Sequence, residues 1–345
     1  MNINKLTRKL IDIPSVTGDE KNVGEFLASY LEGLGYRVVK QEVAKDRFNV
    51  FATTDAPARV VFSTHMDTVP PYIESSEDEG KIFGRGACDA KGIIAAQIMA
   101  AERLREEGIQ EIGLLFTVDE EQGSLGAQIA NKHKLAETPE WLINGEPTDN
   151  KLASATKGSL RLTLKTNGRA SHSAYPEQGE SAIEKLLDVL ESVRKCAWPS
   201  DQVLGETTCN IGVIGGGTRP NVVPAEAHAE LQLRLVTEVG QVKQILEKAI
   251  GGQAEIEYLS AHEPVRMQTI AGFEQCVVRF TTDIPYLSEW GKPLLLGPGS
   301  ILNAHTDHEF VEKRELAEAV SLYAGLVREL LGVGNEATMG ISRGN

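Results

Sequence analysis

The hydrophobic pattern of this chain changes its period near residue 157, and that change limits the folds open to it. Before it, apolar strands alternate with amphipathic helices. "YRVVKQ", "FNVFAT", "ARVVFSTHMDTVP", "IGLLFTV" and "EWLINGEPT" read as strands, the third stopped by Pro70 and Pro71. "DEKNVGEFLASYLEGL" places Val23, Phe26, Leu27, Tyr30, Leu31 and Leu34 on one helical face. "AKGIIAAQIMAAERLREEG" reads as a helix ended by Gly108, and "SLGAQIANKHKLAE" as another. Strand–helix–strand order implies an α/β domain with a mostly parallel sheet covered on both faces.

From "GSLRLTLKTNG" onward the apolar residues alternate with period two, as in a half-exposed strand. A helix ("SAIEKLLDVLESVRKCA") follows, then the strands "TTCNIGVIGGG" and "AEAHAELQLRLV". The helix "VGQVKQILEKAIGG" and the strand "AEIEYLS" complete a ferredoxin-like α+β order. After residue 265 buried elements return: "FEQCVVRF" reads as helix, "PLLLGPG" as strand and turn, and "ELAEAVSLYAGLVRELLG" as a long closing helix. The expectation is a discontinuous large domain, residues 1–157 plus 265–345, with a smaller domain inserted at 158–264.

Charge narrows the partners. A net charge of −14 repels nucleic acid and anionic membrane, and suits a protein that uses carboxylates to hold cations. Cys88, Cys196, Cys209 and Cys276 have no CxxC-type spacing, so a reduced, cytoplasmic chain is expected. The N-terminal "MNINKLTRKLIDIPS" is amphipathic and lacks the apolar core and cleavage site of a signal peptide. No apolar run approaches the roughly 18–20 residues that span a bilayer.

Ligands of open parallel sheets bind beyond the carboxyl ends of the strands. Here "VVFSTHMD" ends in His65 and Asp67, "LLFTVDEE" in Glu120 and Glu121, and "WLINGE" in Glu146. Asp89 stands just before a helix, and "LGPGSILNAHTDHEF" delivers His305 after a strand and a glycine turn. Taken singly, each has an ordinary explanation: Asp89 as a helix N-cap, Glu146 before Pro147 as turn chemistry. Their convergence on one sheet edge is what carries weight. Two His and three carboxylates suit zinc. Asp89, Glu121 and Glu146, with one hydroxide, balance two divalent ions. Asp67, two residues beyond His65, faces the same side of an extended chain and is placed to accept the other ring N–H of His65.

Seven stretches, in order between residues 63 and 310, resemble the di-zinc amidohydrolases that include acetylornithine deacetylase, acetyl-lysine deacetylase, succinyl-diaminopimelate desuccinylase, aminoacylase and related carboxypeptidases. They are "STHMDTVP", "GRGACDAKG", "TVDEEQGS", "NGEPT", "GRASHSAYPEQGESAI", "RPNVVPAEAHAELQLR" and "AHTDHEF". The resemblance implies that His65, Asp89 and Glu146 hold one zinc. Asp89, Glu121 and His305 would hold the other, with Asp89 bridging. Glu120 would be the general base, taking a proton from the attacking water and delivering it to the leaving amine. It makes the inserted domain a lid and dimerisation domain, so a homodimer is expected. There His172 would stabilise the oxyanion, in dimeric relatives from the partner subunit, Arg234 would grip the substrate carboxylate, and Asn221 would lie near the oxyanion or substrate. Ordinary readings stand beside these: a solvated turn histidine, a strand arginine in an ion pair, and turn chemistry after "GGGTRP". His308 competes with His305, and the resemblance, through the family's spacing to Glu309 and Phe310, favours His305.

The function expected is zinc-dependent hydrolysis of an N-acyl amino acid. The short chain, and Ala90 where many relatives carry methionine, lean towards N-acetylornithine or N-acetyl-lysine deacetylation in amino-acid biosynthesis. Succinyl-diaminopimelate desuccinylase and a metallo-dipeptidase or carboxypeptidase are the alternatives, and cobalt or manganese could occupy the same ligands. A non-catalytic, metal-stabilised binding protein is the reading from another class. It predicts a lost ligand or base, and none is lost here. Asp119 has no assigned role beyond the turn.

Overall fold

The structure is a computed structural model, and it describes residues 1–137 and 139–333. Residues 334–345, which the sequence assigns to the large domain, lie outside the described residues. The chain divides into two compact units. The first comprises Met1–Ser154, Met267–Cys276 and the residues from Thr282 on; the second comprises Ala155–Arg266 and Val277–Thr281.

A six-stranded sheet organises the first unit, in the order Arg37–Ala44, Arg47–Thr53, Ile112–Thr117, Val60–His65, Trp141–Asn144, Lys292–Leu295. The last four strands run parallel, while Arg47–Thr53 is antiparallel to both of its neighbours. The carboxyl ends at His65, Thr117, Asn144 and Leu295 therefore share one edge. Side chains alternate between two covered faces, which is why these strands read as continuous apolar runs. Val60, Phe62, Leu114 and Phe116 pack with helices α1 (Ile3–Ile11), α2 (Lys21–Gly33), α3 (Lys91–Glu106) and the later closing helix Lys313–Leu331. Val61, Leu115 and Leu142 face the other way, onto Ala127 and Ala130 of α4 (Leu125–Lys132) and onto Trp290.

Two local expectations differ from the structure. "FEQCVVRF", read as a helix, contains the strand Gln275–Val278, which joins Leu152–Thr156 and Val265–Arg266 in a three-stranded sheet. Its short apolar run has either period, and pairing with a neighbour decides. Asp89 is not the cap of α3. The cap position is Ala90, whose methyl side chain has no acceptor, and the Asp89 carboxylate faces His65 and His305 instead.

In the second unit, four antiparallel strands run in the order Thr208–Gly216, Glu226–Leu235, Gly158–Asn167, Glu255–His262. Leu160, Leu162, Leu164, Leu231 and Leu233 turn one face of that sheet onto α5 (Ala182–Arg194) and α6 (Val239–Ile250). Among the described residues no helix is long and apolar enough to cross a membrane.

Phe62 ties the sheet to the closing helix: it is fully buried and meets Tyr323 edge-on at 5.3 Å. Phe62→Ala is expected to destabilise the first unit by about 3–5 kcal/mol, through lost burial and a residual cavity. Urea unfolding followed by circular dichroism measures this, and a loss under about 1 kcal/mol would contradict the packing described.

Candidate active site

The Asp89 carboxylate lies between two histidines. Its Oδ1 is 3.0 Å from Nε2 of His65, and its Oδ2 is 3.3 Å from Nε2 of His305. His305 Nε2 is also 3.0 Å from Glu121 Oε1. His65, Asp89 and Glu121 offer ligand atoms that all lie within 4.8 Å of one another. Glu146 stands outside that group of three. It is buried beside it, with Oε1 lacking any hydrogen-bond partner, and it feels the charge of Asp89.

The hydrogen bonding of His65 makes this arrangement a fit for a cation. Its Nδ1 is 3.0 Å from the main-chain carbonyl of Asp67, an acceptor, so Nδ1 carries the proton. In a neutral ring Nε2 then points a lone pair at a carboxylate oxygen 3.0 Å away. Only a second proton or a cation between them makes that contact attractive. Ligands about 2.0–2.1 Å from a tetrahedral zinc stand roughly 3.3 Å apart, close to the separations seen here.

The carboxylates divide by the donors they meet. Hydrogen bonds from His305 and His65 outweigh the effect of burial on Asp89 and hold its carboxyl below the usual range. The same contacts act in reverse on the rings: those with Asp89 and Glu121 push His305 up to about 10. Glu120 goes the other way. Burial first, then the charges of Glu146 and Asp283, push its carboxyl well above the usual range. Glu146 is raised by burial and by Asp89.

The turn that carries Glu120 and Glu121 is held from several sides. Asp67 does not accept the His65 ring proton through its carboxylate, whose nearer oxygen is 3.6 Å away, too long for a hydrogen bond. That carboxylate instead accepts the backbone N–H groups of Glu120 (3.1 Å) and Glu121 (3.2 Å), and the Thr17 hydroxyl (2.9 Å). Asp119 takes a left-handed conformation (φ 75°). Its carbonyl accepts the N–H of Gly123 and Ser124, and Arg47 grips its carboxylate at 2.7 Å. Arg47 also binds both oxygens of the buried Glu20, at 2.6 and 2.7 Å. Asp119 thus builds the turn that carries the two glutamates.

Asp283 escaped the sequence reading. It is buried, accepts a hydrogen bond from Thr117 at 2.7 Å, keeps Oδ1 unpartnered, and is pushed by burial up to about 6. Only its Thr-Thr-Asp context in a loop marks it in sequence, which signals a turn and nothing more.

The remaining expected residues belong to the second unit. His172 is exposed, and its Nδ1 accepts the Ala174 N–H at 3.1 Å. It bridges to Val222, and the Asn221 carbonyl accepts the Ser173 N–H, so these two turns stand together. Arg234 is half-buried on the strand Glu226–Leu235. Among the described residues no carboxylate lies within 4.0 Å of it, so the ion-pair reading does not hold, and burial pushes its pKa down.

Comparison with known proteins accords with this geometry. The sequence pattern of peptidase family M20/M25/M40 matches residues 61–329. The chain belongs to that family. A peptidase M20 domain-containing protein of Schizosaccharomyces pombe is 39% identical over 338 residues, covering 94% of this chain and 84% of its own. A probable carboxypeptidase of Aspergillus terreus is 37% identical over 365 residues, covering 93% and 84%. The fold matches that of an aminopeptidase PepT from Bacillus cereus with a TM-score of 0.78 at 23% identity, over 96% of this chain and 99% of the other. Membership of the M20/M25/M40 family makes this chain a metal-dependent hydrolase of amide bonds.

Proton competition at His305 can be measured. The contacts with Asp89 and Glu121 favour the protonated His305 ring, so a cation bound through that ring would compete with a proton. Affinity is expected to rise with pH through neutrality, by roughly tenfold per unit for one proton. Calorimetric titration at pH 6, 7 and 8 tests this, and a flat dependence would remove His305 from the ligand set.

Proposed function

We propose that the chain hydrolyses the amide bond of an N-acyl amino acid, using two divalent cations, zinc first among them. The reading rests above all on the Asp89 carboxylate, which directs one oxygen to each of two histidines and so suits a bridge between two ions. His65 and Glu146 would complete one site, Glu121 and His305 the other. The unpartnered Glu146 oxygen supports this, since it calls for a positive partner. When bound, the cations supply Lewis acidity, which polarises an amide carbonyl and eases deprotonation of water.

Glu120 is the general base on this reading. Its raised proton affinity suits a carboxylate that accepts a proton from water and returns it to the departing nitrogen. Asp67 aims it by holding its backbone N–H. The half-buried, unpaired Arg234 suits a bidentate grip on a free carboxylate of the substrate. His172 and Asn221 would serve the oxyanion. They adjoin the start of the strand Glu226–Leu235, and Arg234 lies eight residues along it, roughly 26 Å away at about 3.3 Å per residue. One chain cannot bring both to one small substrate. That supports a homodimer through the second unit, in which His172 serves the other copy.

A requirement for a carboxylate beside the cleaved amide joins two substrate classes. N-acetylornithine and N-acetyl-lysine carry one next to the acylated nitrogen, and so does the C-terminal bond of a peptide. The name of the Aspergillus terreus relative, a probable carboxypeptidase, favours the second class. The lean towards acetyl-amino-acid biosynthesis rests on chain length and on Ala90. Succinyl-diaminopimelate is a further candidate.

Hydrolysis of acetylornithine, acetyl-lysine, succinyl-diaminopimelate and a dipeptide should be assayed side by side, with chelator and with restored zinc, cobalt or manganese. Activity on at least one substrate, lost with chelator and regained with metal, is expected. Turnover that survives chelation would refute the cation-dependent reading. Glu120→Gln is expected to keep cation binding and to lose turnover by on the order of 100- to 10,000-fold. Unchanged turnover would remove Glu120 as the base.

A further inference from the structure

Asp89 and His305 sit on loops more than two hundred residues apart in sequence, yet their side-chain atoms are 3.3 Å apart. Beneath them lies a buried ion pair. Arg85 precedes Asp89 on one loop and Glu309 follows His305 on the other, and their side chains are 2% and 0% exposed. Each reaches across to the opposite loop. Glu309 Oε1 accepts the backbone N–H groups of Gly86 (3.0 Å), Cys88 (3.2 Å) and Asp89 (3.2 Å). Its Oε2 accepts from Arg85 Nη1 at 2.7 Å.

Arg85 answers in kind. The same Nη1 donates to the Thr306 carbonyl at 3.1 Å, one residue past His305. Its Nε donates to the Pro71 carbonyl at 3.3 Å, on the loop that follows His65 and Asp67. The Gly84 N–H donates to the Glu309 carbonyl at 3.0 Å and closes the ring of contacts. One guanidinium and one carboxylate therefore connect the three loops that carry His65, Asp89 and His305. Neither touches the carboxylate or imidazole atoms that face one another in the candidate site.

A buried ion pair is poor evidence for stability, because desolvation offsets much of its attraction. This one makes five hydrogen bonds to loop backbone besides its own contact, which defines geometry. We propose that the Arg85–Glu309 pair is the positioning device of the cation centre, setting the separation of the Asp89 and His305 loops and so the affinity for the ions they share. This inference rests on the cation-binding reading above. Both groups are positioning residues and act through Asp89 and His305.

The test uses the full chain, freed of metal by chelation and dialysis, then titrated with Zn²⁺ or Co²⁺ against a chromophoric competitor. Glu309→Gln keeps an oxygen for the three N–H groups and leaves Arg85 without its counter-charge. Arg85→Lys keeps the charge but cannot reach Glu309, Thr306 and Pro71 together, and it carries the test if the first variant does not fold. Each is expected to weaken cation binding by about 10- to 100-fold. The far-ultraviolet spectrum should be unchanged, as should KM at saturating cation. A folded variant that binds within twofold of the unaltered chain overturns the proposal, and a lower melting temperature alone would mark the pair as structural only. An unaltered chain that binds no cation would overturn the cation reading itself, and this inference with it.

Discussion

Repulsion among carboxylates governs the first unit. Asp67, Asp89, Glu120, Glu121, Glu146, Asp283 and Glu309 gather at the carboxyl edge of one sheet, where burial weakens the screening that separates them in water. The structure sorts them by what they can reach. Asp67, Asp119 and Glu309 meet backbone N–H groups or arginine, and spend their charge on fixing loops. Asp89 meets two histidines. Glu146 and Asp283 each retain a buried oxygen with no donor. What is left unsatisfied after the structural acids are paired is a pocket of negative charge, and a cation is its natural complement.

The sheet makes this concentration possible. Parallel strands deliver their ends to one edge, so His65, Asp89, Glu121 and His305 meet although they are scattered along the chain, with Glu146 buried beside them. Of the loops beyond those ends, the Asp89 and His305 loops are joined by a short antiparallel ladder, Lys81–Phe83 with Phe310–Glu312. The precision of the loops also comes from side chains that bind backbone, with Asp67 on the Glu120–Glu121 turn and Arg85 and Glu309 across the Asp89 and His305 loops. The same acid residue type serves as scaffold or as reactive group, depending only on whether donors surround it.

The second unit follows a different rule. Its sheet is antiparallel and covered on one face, so buried apolar residues alternate with more exposed ones along the strands Gly158–Asn167 and Glu226–Leu235. That leaves room for Arg234 to stand half-buried without an acid, while His172 and Asn221 share a pair of turns beyond the far end of its strand. The spacing along that strand keeps Arg234 well away from the His172 and Asn221 turns.

Much was legible in the sequence, because hydrophobic period and strand-end chemistry are local properties. The alternation of "GSLRLTLKTNG" is the strand Gly158–Asn167, and the run "LLFT" ends in acids as a strand feeding an edge must. His65, Asp89, Glu121 and His305 could be singled out by residue type and placement, and they stand together in the structure. "FEQCVVRF" was misread because a short apolar run fits either period until a neighbouring strand pairs with it. Asp67 was placed correctly but given the wrong contact, since a two-residue spacing does not say whether a carbonyl or a carboxylate meets the ring. Asp283, Arg47 and the Arg85–Glu309 pair lay beyond reach, because their partners are distant in sequence and ordinary in type. The sequence by itself determined which residues could carry charge to the sheet edge. Tertiary structure alone decided which of those charges are neutralised by backbone and arginine and which stay free for a cation, because donors are supplied by loops that meet only when the chain has folded.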